Sequence, residues 1–300
     1  MEEKPKTAIN SVEKSSTIYP ERLRSLSSMP DMLYYIGRLP DDNRPTAAIV
    51  GARMCSPYGR IQAFNYGRFL SENGVQVISG MAAGIDAEGH KGALEGGTPT
   101  FAVLGNGVDI CYPSSSRSIY RRIPEKNGGI ISEYLPGTPG RAYHFPARNR
   151  IISGLADVVV VVEAKEKSGS LITAACALEQ GKTVYAVPGA VNDALSRGCH
   201  KLIYDGAGIA YSPEVLLDEW GLSVKKKTIL KGKTKLGLAT DLDLVYSCLD
   251  LRPKNLDQII TETGFSPGKT AGILAQLTLM GLVRETGTQH YISCLLYTSD

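Results

Sequence analysis

Two arginines flank one asparagine in the stretch 144–154, HFPARNRIISG, a few residues before the apolar run Val158 to Val162. Guanidiniums this close repel each other unless an anion or carboxylates lie between them. Arg148 and Arg150 therefore call for a bound phosphate or for an internal network with Glu133 and Glu163. The expectation is that Arg150 joins the network and Arg148 faces the surface. Phe145 and Tyr143 offer rings on which a base could stack, although burial by packing accounts for such rings equally well. Arg53 follows the apolar run 46–50 and cannot be buried cheaply without a partner, which a phosphate, Glu163 or Asp157 would supply. In SGSLITA (168–174), Ser168, Gly169 and Ser170 stand at a helix start, with Thr173 one turn on. Free backbone N–H groups and the helix dipole favour an anion there, and plain helix capping explains the same serines. In SGMAAGID (79–86), Ser79, Gly80 and Gly84 are small enough for a tight turn or a close approach of backbone to ligand. Asp86 can cap the next helix or accept a hydrogen bond from a sugar or base. The chemistry common to all of these is the holding of phosphate.

Other chemistry is missing from the sequence. No G-x-G-x-x-G follows the first apolar run. The two GKT triplets, at 181–183 and 268–270, lack the earlier glycine of a P-loop, because Cys176 and Thr263 stand in its place. There is no G-x-S-x-G elbow. His90, His144, His200 and His290 are not spaced as metal ligands, and six scattered cysteines without a C-x-x-C fit reduced thiols. These features point to a binding protein rather than an enzyme, without metal or cofactor.

Short β-branched runs place those residues: TAAIV (46–50), VQVIS (75–79), TFAVL (100–104), GGIIS (128–132), VVVVVEA (158–164) and TVYAVPG (183–189), separated by helical patterns. Continuous apolar strands alternating with helices predict an α/β fold, a Rossmann-like, doubly wound, mostly parallel sheet buried on both faces. In such a sheet the strands' C-terminal ends share one edge, where ligands bind. The segments 51–59, 79–86, 105–109, 163–170 and 188–190 should converge there. Lys182 precedes a strand and so falls toward the opposite edge, from which a groove could still reach it. Ser56 followed by Pro57 reads as an N-cap and N1 proline.

With 43% hydrophobic and 21% charged residues the chain can bury a core, and its net charge of +3 is too mild to decide for or against nucleic acid. No apolar run is long enough to span a membrane. The charged, polar start shows no signal peptide, so a cytoplasmic location is expected. Residues 1–45 are weakly patterned and are expected to be an extension packing against the sheet domain, residues 46–220. Residues 221–239 read as a basic linker, with six lysines in the eleven residues 225–235. Residues 240–293 carry three helical patterns and a two-stranded ending, the plan of a winged helix. Residues 294–300 continue no pattern and are expected to be a non-native tail.

The runs GARMCSPYG, SGMAAGIDAEGHKGAL, FAVLGNGVDICYP, SEYLPGTPGRAYHFPARNRIISGLAD and VVEAKEKSGSLITAACALEQGKTVYAVPG together resemble the DprA/Smf family of DNA-processing proteins, over residues 18–293. The resemblance implies an extended Rossmann fold that dimerises through that domain. It further implies a cytosolic bacterial protein that binds single-stranded DNA and loads RecA on it during natural transformation. It places DNA contacts on Gly51 and Arg53 of the G-S-R motif, on the loop 79–86, on Phe145–Arg150 and on Ser168–Thr173. The chain departs from the family pattern at Ala52, Ser116 and His200, where the family carries serine, asparagine and asparagine.

Two other functions fit parts of the sequence. A nucleotide N-glycosidase of the cytokinin-activating type shares the sheet and glycine loops, but here the glutamate it needs is matched only by Glu179, far along the helix. A winged-helix regulator would need a recognition helix that reads bases, and the segment 266–281 offers Lys269 as its one cation.

Overall fold

The computed structural model describes residues 8–223, 240–249, 253–287 and 289–293. They fall into two compact units that divide at residues 225/226. Of the expected linker only 221–223 lie among the described residues, and the expected tail lies outside them.

The first unit opens with β1 (Ile9–Glu13), the short helix α1 (Glu21–Arg24) and β2 (Met32–Gly37). Then strand and helix alternate: β3 (Thr46–Val50), α2 (Pro57–Glu72), β4 (Gln76–Ser79), α3 (Ile85–Gly96), β5 (Thr100–Leu104), α4 (Arg117–Glu125), β6 (Gly129–Ser132), α5 (His144–Leu155), β7 (Val158–Val161), α6 (Gly169–Glu179), β8 (Thr183–Ala186), α7 (Arg197–Tyr204) and β9 (Gly208–Ile209). The nine strands form one sheet in the order β1-β2-β6-β5-β4-β3-β7-β8-β9. From β6 to β9 every neighbouring pair is parallel. β2 adds antiparallel to β6, and β1 antiparallel to β2. The expected doubly wound, mostly parallel sheet is therefore present. Its far edge is made by the N-terminal residues, which extend the sheet as strands.

All residues of β3, β4, β5, β6 and β7 are buried, and alternate side chains feed two cores. On one face Ala48, Val50, Ile78 and Val159 meet Ile151, Ile152 and Leu155 of α5 and Ala174 and Ala177 of α6. On the other, Ala47, Ile49, Val77 and Val160 meet Ala63, Tyr66 and Leu70 of α2 and Ile85 and Ala93 of α3. Double coverage is why these strands read as unbroken apolar runs. Helix α2 starts as its sequence asks, with the Ser56 hydroxyl accepting from the Gly59 amide and Pro57 at the first turn.

His90 of α3 sits in this interior with no exposure. The Thr100 hydroxyl donates to Val77 O (2.8 Å), so it must accept from His90 Nδ1 (2.8 Å). That fixes a neutral imidazole protonated at Nδ1, with Nε2 buried and without a hydrogen-bond partner among the described residues. Burial, and secondarily the charge of Arg148, push its pKa down from 6.5 to about 3. A depressed pKa means stability that is complete above 6.5 and lost as pH falls toward 3. Between pH 7 and pH 5 this one group should remove about 2 kcal/mol of unfolding free energy. Urea titrations of the wild type and His90→Leu at both pH values check this. The variant's pH dependence should be shallower by that amount, and equal slopes would dismiss His90 as the source.

The second unit comprises α8 (Thr240–Cys248), β10 (Lys254–Asn255), α9 (Leu256–Thr263), α10 (Pro267–Leu279), β11 (Val283–Gly287) and β12 (His290–Ser293). Three helices enclose Val245, Ile259, Ile273 and Leu274, and β10, β12 and β11 form a small antiparallel sheet. This is the expected winged helix. Its boundaries carry real caps: Asn255 and Gln258 make a capping box, and Ser266 caps α10 ahead of Pro267. Lys269, the single cation of α10, pairs with Asp241 at 2.8 Å and lies 3.8 Å from the Phe265 ring.

Candidate functional site

From β3 the chain winds outward through β4, β5 and β6 on one side, then returns to lay β7, β8 and β9 on the other. Between β3 and β7 the loops leaving the strand ends therefore diverge, and that crevice is the usual ligand position in such sheets. Here a cleft of about 230 Å³ opens, lined by Gly51, Arg53, Asp86, Phe145, Arg148, Asn149, Ser168, Gly169, Ser170 and Thr173. Residues from four distant stretches of sequence are thus brought together. Of the expected site residues, Ser79, Gly80, Gly84, Arg150 and Lys182 do not line this cleft.

At the start of α6, Ser168 is the N-cap and its hydroxyl accepts from the Ser170 amide (3.4 Å), with the two hydroxyls 2.8 Å apart. Capping and lining are carried by the same serines, so the two readings of that motif coexist. Asn149 Nδ2 donates to Gly169 O (3.2 Å), tying α5 to the mouth of α6. The positive end of the α6 dipole consequently faces the cleft.

The arginines separate differently from expectation. Arg150 does form the internal network: Nη1 and Nη2 grip Glu133 Oε1 and Oε2 at 2.8 and 2.7 Å, and Nε donates to Ser28 O. The Glu133 carboxylate raises the Arg150 pKa accordingly. Glu163 takes no part. It accepts instead from the Ser56 amide (2.9 Å) and hydroxyl (2.5 Å). Arg148 is not at the surface. It is 4% exposed, with Nη1 donating to Gly80 O (3.0 Å) and Val103 O. Carbonyls where β4 and β5 end have run out of strand partners, and the inward face of α5 delivers a guanidinium to them. Its Nε keeps no partner among the described residues, and Arg148 forms part of the cleft wall. Burial pulls its pKa down to about 10, still charged at neutral pH, while Asp86 acts in the opposite direction.

Arg53 is exposed, and no ion pair involves it among the described residues. Glu163 is occupied by Ser56, and Asp157 lies at the other edge with Arg22 (3.0 Å). The Arg53 guanidinium is 5.4 Å from the centre of the Phe145 ring. Phe145 in turn stacks on Tyr112, with centroids 5.3 Å apart. Tyr143 projects into solvent.

The loop 79–86 is built to let these groups approach. The Ser79 hydroxyl donates to Ile49 O (2.6 Å), and the Gly80 amide donates to Asp86 Oδ2 (3.1 Å). Gly84, not Asp86, is the N-cap of α3. It has φ +82°, and a Cβ there would run into the carbonyl oxygens of Ala52 and Arg53. Asp86 faces the cleft, and burial raises its pKa although Arg148 counters this. Lys182 is half-buried ahead of β8, at the opposite edge, where burial lowers its pKa and Asp157 supports it. Parallel strands separate their beginnings from their ends, and Lys182 does not line this cleft. Glu179 ends α6, about 15 Å of helix from Ser168. The departures Ser116 and His200 bond to backbone: the Ser116 hydroxyl to Met81 O (3.1 Å), and His200 Nε2 with Gly189 O (3.2 Å).

The family model of DNA recombination-mediator protein A matches residues 10–221. The chain belongs to this family. A model of the DprA winged helix domain matches residues 232–287. DNA processing protein DprA of Streptococcus pneumoniae is 42% identical over 202 residues, covering 67% of this chain and 71% of that protein. Protein Smf of a Synechocystis species is 33% identical over 310 residues, covering 91% of this chain and 77% of the relative. Among solved structures, the X-ray structure of Streptococcus pneumoniae DprA superposes with a TM-score of 0.65 at 39% identity, over 70% of this chain and 74% of the other. Helicobacter pylori DprA, whose structure addresses its single-stranded DNA binding mode, gives a TM-score of 0.62 at 28% identity over 71% and 95%. The Rossmann-like sheet and the winged helix are thus those of a DprA/Smf recombination mediator. Among the described residues no helix is long and apolar enough to cross a membrane, and no group of His, Cys, Asp and Glu is placed to hold a metal.

Proposed function

We propose that this chain binds single-stranded DNA in the cleft between β3 and β7, neutralising backbone phosphate and leaving base identity largely unread. One observation carries the reading: Arg53, exposed and without an ion pair among the described residues, stands with the charged Arg148 and the N-terminus of α6 around a single crevice. A phosphate there receives an exposed guanidinium, a buried positive charge and a helix dipole together. The binding mode described for the Helicobacter pylori relative supports the choice of nucleic acid. Loading of RecA on the bound strand, a place in natural transformation and homodimerisation through the Rossmann-like domain follow from family membership as further parts of the proposal.

Fluorescence anisotropy with labelled single-stranded and duplex oligonucleotides at two salt concentrations tests the reading. Binding should favour the single strand, tolerate any sequence and weaken steeply with salt. Equal or stronger duplex binding would move the function to the winged helix. Earlier RecA assembly on single strands in the presence of the protein tests the loading step, and sedimentation the dimer.

Asp86 contributes the one carboxylate in the cleft, against the charge of any phosphate. Asp86→Asn should tighten single-strand binding about three- to tenfold, the scale of one charge interaction at intermediate dielectric. Titrations at matched salt check this, and weaker binding would show that the carboxylate holds the Gly80 loop rather than opposing the ligand.

A further inference from the structure

Beside the main cleft lies a smaller one of about 110 Å³ that shares Arg53, Ala82, Phe145 and Arg148 with it and is bounded beyond them by Tyr112 and Pro113. The two are therefore consecutive compartments along the sheet edge, the first at β3 and β7, the second toward β5. Tyr112 is 48% exposed and stacks on Phe145 at an interplanar angle of 26°, so the two rings form one aromatic stack at the small compartment. After Pro113 the chain turns through Ser114–Ser116 and enters α4. The Ser116 hydroxyl, bonded to Met81 O, pins that turn to the 79–86 loop.

Helix α4 then presents Arg117 and Arg121 on one side, with Arg122 adjacent, all exposed. Residues four apart share a helix face and are separated by about 6 Å along its axis. Both Arg117 and Arg121 act electrostatically on Cys111, the residue before Tyr112, drawing its thiol pKa down against the burial that raises it. Arg117 stands four residues after Pro113, which bounds the small compartment, so the start of α4 lies next to it in the chain. Some exposed arginines of this chain have carboxylates at hand, as Arg68 has Glu72 and Arg44 has Asp41. No ion pair involves Arg117, Arg121 or Arg122 among the described residues. The stretch 117–126 holds four cations and one carboxylate, an excess as large as the net charge of the entire chain.

We propose that α4 is the continuation of the DNA path: a single strand seated in the main cleft passes over Phe145 and Tyr112 and lays following phosphates on Arg117 and Arg121. This rests on the single-strand reading above. The surface fits a polyanion with stackable bases, because the aromatic faces come between the two cationic positions. A free mononucleotide would fill the main cleft and leave α4 unused, so the α4 arginines distinguish a polymer from a small ligand.

Length dependence tests this with the full chain. Single-stranded oligonucleotides of about 5 and about 25 nucleotides bracket the span of one such site. The pair Arg117→Ala/Arg121→Ala should bind the long oligonucleotide about five- to tenfold more weakly. Its slope of log affinity against log salt should be shallower by about 1.4, the value for two lost phosphate contacts on a single strand. Binding of the short oligonucleotide should match the wild type. Arg117→Glu/Arg121→Glu should deepen the loss on the long one alone. Wild-type affinity of both double variants for the long oligonucleotide overturns the α4 path while leaving the cleft intact, and so does an equal loss on both lengths. If the wild type binds neither length, the single-strand reading itself fails, and the α4 path with it.

Discussion

An Arg53→Ala protein should bind single-stranded DNA about ten- to a hundredfold more weakly than the wild type while keeping its stability. The first half follows from what a guanidinium supplies to phosphate. A hydrogen bond to a charged group contributes about 1.5–3 kcal/mol net, and each 1.4 kcal/mol is a factor of ten in affinity. The second half follows from what Arg53 lacks. It is exposed, has no carboxylate partner among the described residues, and its contact with the protein is a 5.4 Å approach to the Phe145 ring. Such a contact is worth about 0.5–1 kcal/mol at an exposed site. The loss should be uniform across sequences, because a phosphate contact reads no base, and the salt slope should fall by about 0.7. Arg53→Lys should recover part of the affinity, since it restores the charge without the planar fork. Anisotropy titrations at two salt concentrations, with thermal melts of the same proteins, separate these outcomes. Unchanged affinity would remove Arg53 from the interface.

How far this site can be read without coordinates depends on which physical rule fixes each residue. Gly51, Arg53, Asn149 and Ser168–Ser170 are legible because a parallel sheet sends all its strand ends to one edge, whatever the strand order. The same rule puts Lys182 at the opposite edge, since it precedes a strand. The place of Arg148 is not legible, for a different reason. Helical spacing shows that it shares a face with Ile151 and Ile152, yet says nothing of what that face meets. It meets the carbonyls of Gly80 and Val103, which are 68 and 45 residues away. Tyr112 is not legible, because it belongs to a long irregular loop after β5, where no period assigns a direction to a side chain. The only signal would have been an aromatic ring next to a proline and a cluster of arginines.

The fold divides in a similar way. Strands covered on both faces announce themselves as unbroken apolar runs, and the winged helix announces itself by its caps. β1, Ile9–Glu13, buries one residue of five, and β9 is two residues long. Edge strands of that kind are held by backbone pairing and by distant side chains, so their own sequence carries little trace of them.

One distant side chain in particular is expected to hold the N-terminal segment in place. The Asp157 carboxylate accepts from Arg22 Nε (3.0 Å) and Nη2 (3.2 Å), from the Thr46 amide (2.9 Å) and from Trp220 Nε1 (3.2 Å). It thereby joins α1, the start of β3 and the last turn of the sheet unit. Asp157→Ala should lower the stability of that unit by about 3 kcal/mol, because it leaves a part-buried guanidinium without its bidentate partner and the buried Thr46 amide without its acceptor. Asp157→Asn keeps an acceptor and should lose less. Arg44→Ala, which removes an exposed pair with Asp41, should change stability by less than about 0.5 kcal/mol. The readout is built into the network: Trp220 is the chain's single tryptophan, so its fluorescence follows the sheet unit and not the winged helix. Asp157 lies at the edge away from the cleft, so DNA affinity below the melting range should stay at the wild-type value. A variant that loses affinity and stability together would show that the two edges are coupled through the sheet.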